Sequence, residues 1–173
     1  MNRESIIAII PARGGSKGIP QKNIRLLAGI PIIIHTILAA KNSMKIQHTI
    51  VTTDDTKIAE IAGIEDVIVI SRPSEYATDS SPTIDAILHA IQEVKNRNIH
   101  PDIIVLLQPT SPLRTTEDID NALSFHYIPL NLSPLVQLLA GLIVPPCVRG
   151  NAKISPKGLF LKVPQCLFVC NNP

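Results

Sequence analysis

Four largely apolar runs, at residues 6–10, 48–52, 67–70 and 103–107, punctuate the first 125 residues of the chain. Each has the length of a strand, and each is rich in Ile, Val or Leu at successive rather than alternate positions. That is how strands buried on both faces of a parallel sheet read. Between them, residues 32–41, 56–62, 83–97 and 117–125 carry the longer period of helices. In the third of these, Ile84, Ile87, Leu88, Ile91 and Val94 recur at helical spacing and predict one buried face. Asp79, Ser80 and Ser81 stand just ahead of it as candidate N-caps. Strand and helix alternating in this way predict an α/β domain over residues 1–125, with a mostly parallel sheet and helices on both faces.

The pattern stops near residue 126. All acidic residues lie before that point, all three cysteines (Cys147, Cys166, Cys170) lie after it, and Pro129, Pro134, Pro145, Pro146, Pro156, Pro164 and Pro173 crowd the remainder. Residues 126–173 are therefore expected to be an atypical tail without strand and helix alternation, as a shifted reading frame or a replaced C-terminus would give. Only residues 132–144 are apolar enough for a further helix. A sheet left incomplete in this way is expected to expose an edge and an apolar face, and so to be poorly soluble.

Composition narrows the function classes. With 45% hydrophobic residues but 3% aromatics and no Trp, the core has to be built from Ile, Leu, Val and Ala. A net charge of +2 makes no polyanion-binding surface, so nucleic acid is not an expected partner and any phosphate affinity must be local. The first apolar run is too soon interrupted by Pro11 and Arg13 for a signal peptide, and no stretch approaches the roughly 20 apolar residues that span a bilayer. A soluble, cytoplasmic chain without membrane partners is expected. Three cysteines make no even disulfide framework, and Cys166 with Cys170 falls short of a four-ligand zinc site.

The densest chemistry follows the first strand. In residues 11–23, PARGGSKGIPQKN, three glycines allow close approach of the backbone to a ligand, so that successive N–H groups can line a phosphate pocket. Arg13, Lys17 and Lys22 add full charges, the arginine as a planar fork and the lysines as mobile point charges. A loop of Gly and Lys is about as often a plain solvated turn. Neither G-x-x-x-x-G-K-[ST] nor G-x-G-x-x-G is present, which removes the Walker-type and dinucleotide loops. What remains is a nucleotide loop of another kind, at the carboxyl end of the first strand, where open α/β sheets bind ligands. Thr53, Asp54 and Asp55 suit either a metal or a helix cap.

The run IIPARGGSKGIPQKNIRLLAGIPII resembles the opening of the acylneuraminate cytidylyltransferases, the CMP-sialic acid synthetases. VTTDD at 51–55, RPSEYATDSSPTIDAILHA at 72–90 and LLQPTSPLR at 106–114 continue the likeness in the family's order, covering residues 5 to about 125. The resemblance implies a Rossmann-like nucleotidyltransferase fold, similar to the glycosyltransferase-A type and C-terminally incomplete here. It implies CTP and a sialic-acid-like nonulosonic acid as substrates, Mg²⁺ as cofactor and a homodimer as the family's assembly.

Position by position, the resemblance assigns the catalytic roles to Arg13 and Lys22, on the CTP phosphates. Substrate contacts fall to Ser16 and Lys17 in the loop, to Asn23 and Arg72 on the nucleotide, to Ser81 and Thr83 around base and ribose, and to Gln108 beside the sugar pocket. Asn23 offers both a donor and an acceptor suited to a cytosine edge, whereas Ser81 and Thr83 also suit helix caps. Gln108 ends a buried run, where an amide needs partners.

The implied reaction is attack of the sugar's anomeric hydroxyl on the α-phosphate of CTP, giving the CMP-sugar and pyrophosphate, and it asks mainly for alignment and charge neutralisation. In the family the metal-binding carboxylates lie late in the chain, yet no acidic residue follows Asp120 here. The metal ligands are therefore unassigned, and the chain is expected to bind CTP weakly and turn over poorly. Two other classes stay open: a nucleotidyltransferase for another sugar acid such as the octulosonic one, whose loop differs, and a non-catalytic nucleotide-binding module.

Overall fold

The computed structural model describes residues 4–15, 18–78, 81–126, 152–155, 158–163 and 166–170. Strand β1 (Ile6–Pro11) lies at the heart of a seven-stranded sheet, between β4 (His48–Thr53) on one side and β6 (Ile103–Leu107) on the other. Both pairings are parallel, with Ile9 level with Ile50 and with Leu106, and β5 (Ile68–Ser71) pairs parallel to the far side of β4. A small antiparallel hairpin of β2 (Leu26–Leu27) and β3 (Ile30–Pro31) stands apart from this sheet.

The period-2 alternation of β1 divides the core into two layers. Ile6, Ala8 and Ile10 pack with α1 (Ile32–Lys41), α2 (Thr56–Ile64) and α4 (Thr116–His126), through Ile33, Ile37, Ala40, Ile58, Ala62, Ile119 and Leu123. Ile7 and Ile9 face the other way, against Ile87, Ala90, Ile91 and Val94 of α3 (Thr83–Asn96). Each fully buried isoleucine contributes about 1.5–3 kcal/mol of transfer free energy, so these Ile-rich strands, with hardly an aromatic, supply the core. Helices thus cover both sheet faces, and the expected parallel α/β sheet is present.

The helix limits follow the sequence reading closely, with two differences on α3. Ile84 and Leu88 are exposed, at 39% and 57%, and the buried stripe uses Ala86 and Ala90 instead. Small side chains let α3 lie close to the sheet, which rotates its buried face away from 84 and 88. The N-cap of α3 is Pro82, with no side-chain cap. Asp79 and Ser80 lie outside the described residues, as do residues 132–144 and Cys147.

The larger difference concerns the tail. Strands β7 (Ala152–Ser155), β8 (Gly158–Val163) and β9 (Cys166–Cys170) form an antiparallel meander, and β9 pairs antiparallel with β6 from Ile103 level with Cys170 to Leu107 level with Cys166. β6 therefore has a partner on the side away from β1. A search for strand and helix alternation passes over such a run of short strands.

Sheet order positions the site. From β1 the chain steps outward through β4 to β5, then returns to the other side of β1 to form β6. At such a reversal the loops leaving β1 and β6 part in opposite directions and open a crevice at the carboxyl ends of the strands.

Candidate nucleotide site

The crevice is lined by Pro11 at the end of β1 and Arg13 and Gly15 from the loop after it, by Lys22 and Asn23 from the short 3-10 turn that ends that loop, by Arg72 after β5, by Thr83 at the start of α3, and by Gln108, Pro109 and Thr110 after β6. It encloses about 150 Å³ and is open to solvent. Six of the nine residues singled out from the sequence, Arg13, Lys22, Asn23, Arg72, Thr83 and Gln108, meet there, although they come from four separate segments of the chain. Ser16 and Lys17 lie outside the described residues.

Ser81 is not among the lining residues. Its hydroxyl donates to the Glu75 carbonyl at 2.6 Å and meets the Thr78 hydroxyl at 2.5 Å, while its N–H donates to Thr78 Oγ1 at 3.1 Å. These local bonds fasten the 74–81 turn to itself, so Ser81 shapes the segment, neither capping α3 nor facing the crevice. The Thr78 carbonyl in turn accepts a 3.3 Å bond from Arg13 Nη1.

Arg72 is 7% exposed. Its Nη2 donates to the Thr52 carbonyl at 2.8 Å and its backbone N–H to the Thr53 carbonyl at 2.8 Å, which carries the β4–β5 ladder one residue further. Its buried Nε has no hydrogen-bond partner within the protein. Burial lowers the pKa of the guanidinium from its ordinary value; the nearby charge of Asp54 opposes that shift and that of Arg13 adds to it. Arginine remains protonated regardless. A desolvated cation that lines a crevice is a strong attractor for an anion.

Asn23, buried at 8% exposure, donates from Nδ2 to the Arg13 carbonyl at 2.9 Å. One of the two N–H groups expected to read a base is thus committed to the loop, and the side chain shapes the site as well as lining it. Gln21, just before the 3-10 turn, takes a left-handed backbone conformation (φ 52°, ψ 34°) that turns the chain into Lys22 and Asn23.

The glycines divide their work. Gly15 lines the crevice, but Gly14 does not, and its N–H donates to Asp54 Oδ1 at 3.0 Å. A Cβ on Gly14 would lie 2.6 Å from Asp55 Oδ2 and 2.8 Å from Asp55 Cβ, so glycine is required there by contact with the β4–α2 turn. Asp55 itself caps α2, its Oδ1 accepting from the Ile58 N–H at 3.1 Å. The tandem carboxylates are therefore structural, and Asp54 is a contributor to the loop that sequence reading left unassigned.

On the opposite wall, Gln108 follows the last residue of β6 and is exposed. Water can satisfy its amide, so the expectation of a buried amide in need of partners does not hold. Its Oε1 accepts a long 3.4 Å bond from Thr110 Oγ1, and its carbonyl accepts from the buried Arg114 Nη2 at 3.2 Å. Thr110 and Arg114 belong to the same LLQPTSPLR motif as Gln108, the signal through which sequence reading had access to both.

The donor set does not suit a divalent metal. Among the described residues no carboxylate lines the crevice, and no group of three or more His, Cys, Asp or Glu side chains stands together. The Mg²⁺ implied by the resemblance finds no carboxylate ligands in the crevice among the described residues. Among the described residues no helix is long and apolar enough to cross a membrane.

Comparison with known proteins places this geometry. Residues 7–127 match the family model described as cytidylyltransferase. The chain is 41% identical over 124 residues to CMP-N,N'-diacetyllegionaminic acid synthase of Legionella pneumophila, an alignment covering 71% of this chain and 53% of that protein. It is 40% identical over 126 residues to an N-acylneuraminate cytidylyltransferase of Escherichia coli, covering 72% of this chain and 29% of the relative. The chain thus spans about half, or less, of the length of these curated relatives. In fold it is similar to CMP:2-keto-3-deoxy-manno-octonic acid synthetase complexed with CTP, with a TM-score of 0.60 at 22% identity over 69% of this chain and 46% of the other. A cytidylyltransferase of Leptospira borgpetersenii gives a TM-score of 0.58 at 20% identity over 96% of this chain and 60% of its own. The nucleotidyltransferase fold read from the motifs is therefore present, and the chain belongs to the cytidylyltransferase family.

Proposed function

We propose that the chain binds CTP in the crevice and transfers CMP to a sialic-acid-like nonulosonic acid. The observation that carries this reading is the meeting of Arg13, Lys22 and Arg72 on a lining that holds no carboxylate among the described residues. Three cations on fixed backbone form an electrostatic cradle for the triphosphate. In the reaction the anomeric oxygen of the sugar acid bonds to the α-phosphorus, the bond to the β-phosphate oxygen breaks, and pyrophosphate departs with the CTP charge it carried. The hydroxyl proton passes to water. Arg13, Lys22 and Arg72 hold the phosphates in line, Thr83 and Asn23 lie toward the nucleoside, and Gln108 lies toward the sugar acid. Positioning and charge neutralisation are the protein's contribution.

A lining without a carboxylate among the described residues favours a second reading of the same site, in which the chain binds the nucleotide but transfers it slowly. Calorimetry with CTP, ATP and NAD, followed by CMP-sugar synthesis with Mg²⁺ over a panel of nonulosonic acids, decides between them. CTP binding preferred over ATP and NAD is expected, with slow product formation. Equal affinity for the three ligands, or none for CTP, overturns the CTP site. Rapid turnover overturns only the second reading.

A further inference from the structure

The Arg13 carbonyl and the Gly14 N–H belong to one peptide unit, and that unit is held at both ends. Asn23 Nδ2 donates to the carbonyl at 2.9 Å, and Asp54 Oδ1 accepts from the N–H at 3.0 Å. In a trans peptide these groups point in opposite directions, so the two bonds fix the orientation of the plane and, with it, the direction in which the Arg13 side chain leaves the backbone. We propose that Asp54 is a positioning residue for the nucleotide site, acting with Asn23 as a two-sided clamp on the Arg13–Gly14 peptide. The inference rests on the CTP reading above.

Three observations carry it. The Gly14–Asp54 bond joins residues 40 apart in sequence, so it is tertiary and not part of a local turn. Helix capping is already performed by Asp55, which leaves Asp54 without that role. Gly14 rests against Asp55 so closely that any side chain at 14 would push the loop off the β4–α2 turn. Asp54 also supplies the attractive charge that partly offsets the burial of Arg72. The carboxylate therefore touches both cationic elements of this wall without lining the crevice, one through a hydrogen bond to the loop and one through its field.

The clamp needs an acceptor at position 54, not a charge. Asp54→Asn keeps a side-chain oxygen able to take the Gly14 N–H, whereas Asp54→Ala removes it. On the full chain, D54A is expected to weaken CTP binding roughly fivefold, as the loss of one hydrogen bond would, with D54N within about twofold of wild type. NMR hydrogen exchange of the Gly14 amide, measured without nucleotide, is expected to be fast in D54A and protected in D54N and wild type. Wild-type affinity in D54A, or a D54N loss as large as that of D54A, overturns the clamp, the latter because charge alone would then explain the effect. Fast Gly14 exchange in the wild type also overturns it. A wild-type chain that binds no CTP sinks the functional reading instead, and the Gly14 exchange rates still decide whether the clamp exists.

Discussion

The two walls of the crevice are built on opposite terms. On the β1–β4–β5 side, a guanidinium is buried, a loop peptide is tied at both ends and a glycine is wedged against a neighbouring turn. On the β6 side, Gln108 and Thr110 stand exposed and share one long hydrogen bond. Preorganised, desolvated charge gives affinity without a reorganisation cost at the moment of binding. Exposed polar groups exchange with water cheaply and give little affinity, but they can select by the shape and donor pattern of what they meet. Under the proposed function, the first wall would hold the triphosphate common to every reaction and the second would meet the sugar acid that varies.

Removing the buried cation should have the largest effect on this division. Arg72→Met deletes charge-assisted bonds worth about 1.5–3 kcal/mol, so CTP affinity is expected to fall as much as roughly a hundredfold by calorimetry. Stability should hold, because the desolvation cost leaves with the charge and the Thr52 carbonyl keeps its bond from the Ala12 N–H at 3.0 Å. Loss of affinity together with a collapse of the thermal midpoint would show that Arg72 holds the fold and not the ligand.

A smaller loss is expected from Gly14→Ala. The added Cβ meets Asp55 at both its carboxylate and its Cβ, so rotation of the side chain alone does not clear it. Overpacking of this kind costs about 1–3 kcal/mol, seen as a lower midpoint, with CTP affinity down about tenfold as the loop shifts Arg13. The same substitution at Gly15, where an added Cβ meets nothing within 4 Å, should leave the midpoint unchanged. Equal destabilisation at both positions would remove the distinction between an anchoring and a lining glycine.

The four strands of the parallel sheet and the four α-helices up to residue 126 were legible because Ile-rich runs and helical periods are local signals, whereas the two-residue strands β2 and β3 carry no such run. That Arg13, Lys22 and Arg72 would line one crevice was legible because they sit in motifs that follow strand ends. What sequence reading could not supply is which groups are spent on one another. Asn23 and Gly14 read as ligand donors, yet each is committed to the loop, by bonds to residues 10 and 40 positions away. Ser81 carries the hydroxyl its motif calls for, and the 74–81 turn absorbs it. On α3, the stripe of Ile84 and Leu88 has the right period for burial, but the phase was set by Ala86 and Ala90, whose small size decides how close the helix comes. The tail strands escaped because antiparallel pairing to β6 is a long-range match that no local period announces.

The exposed wall provides the smallest effect and the sharpest test of the contrast. Gln108→Ala removes an amide that water already solvates, and its bond from Thr110 is at the long end of the range. Loss of such a contact costs under about 0.7 kcal/mol, so CTP affinity should change less than about threefold. Under the proposed division, the consequence falls on the second substrate: KM for the nonulosonic acid should rise more than the Kd for CTP, and the ranking among sugar acids should change. A Q108A variant that loses CTP as severely as R72M would mean that the β6 wall also grips the nucleotide, and the separation of affinity from selectivity between the two walls would have to be abandoned.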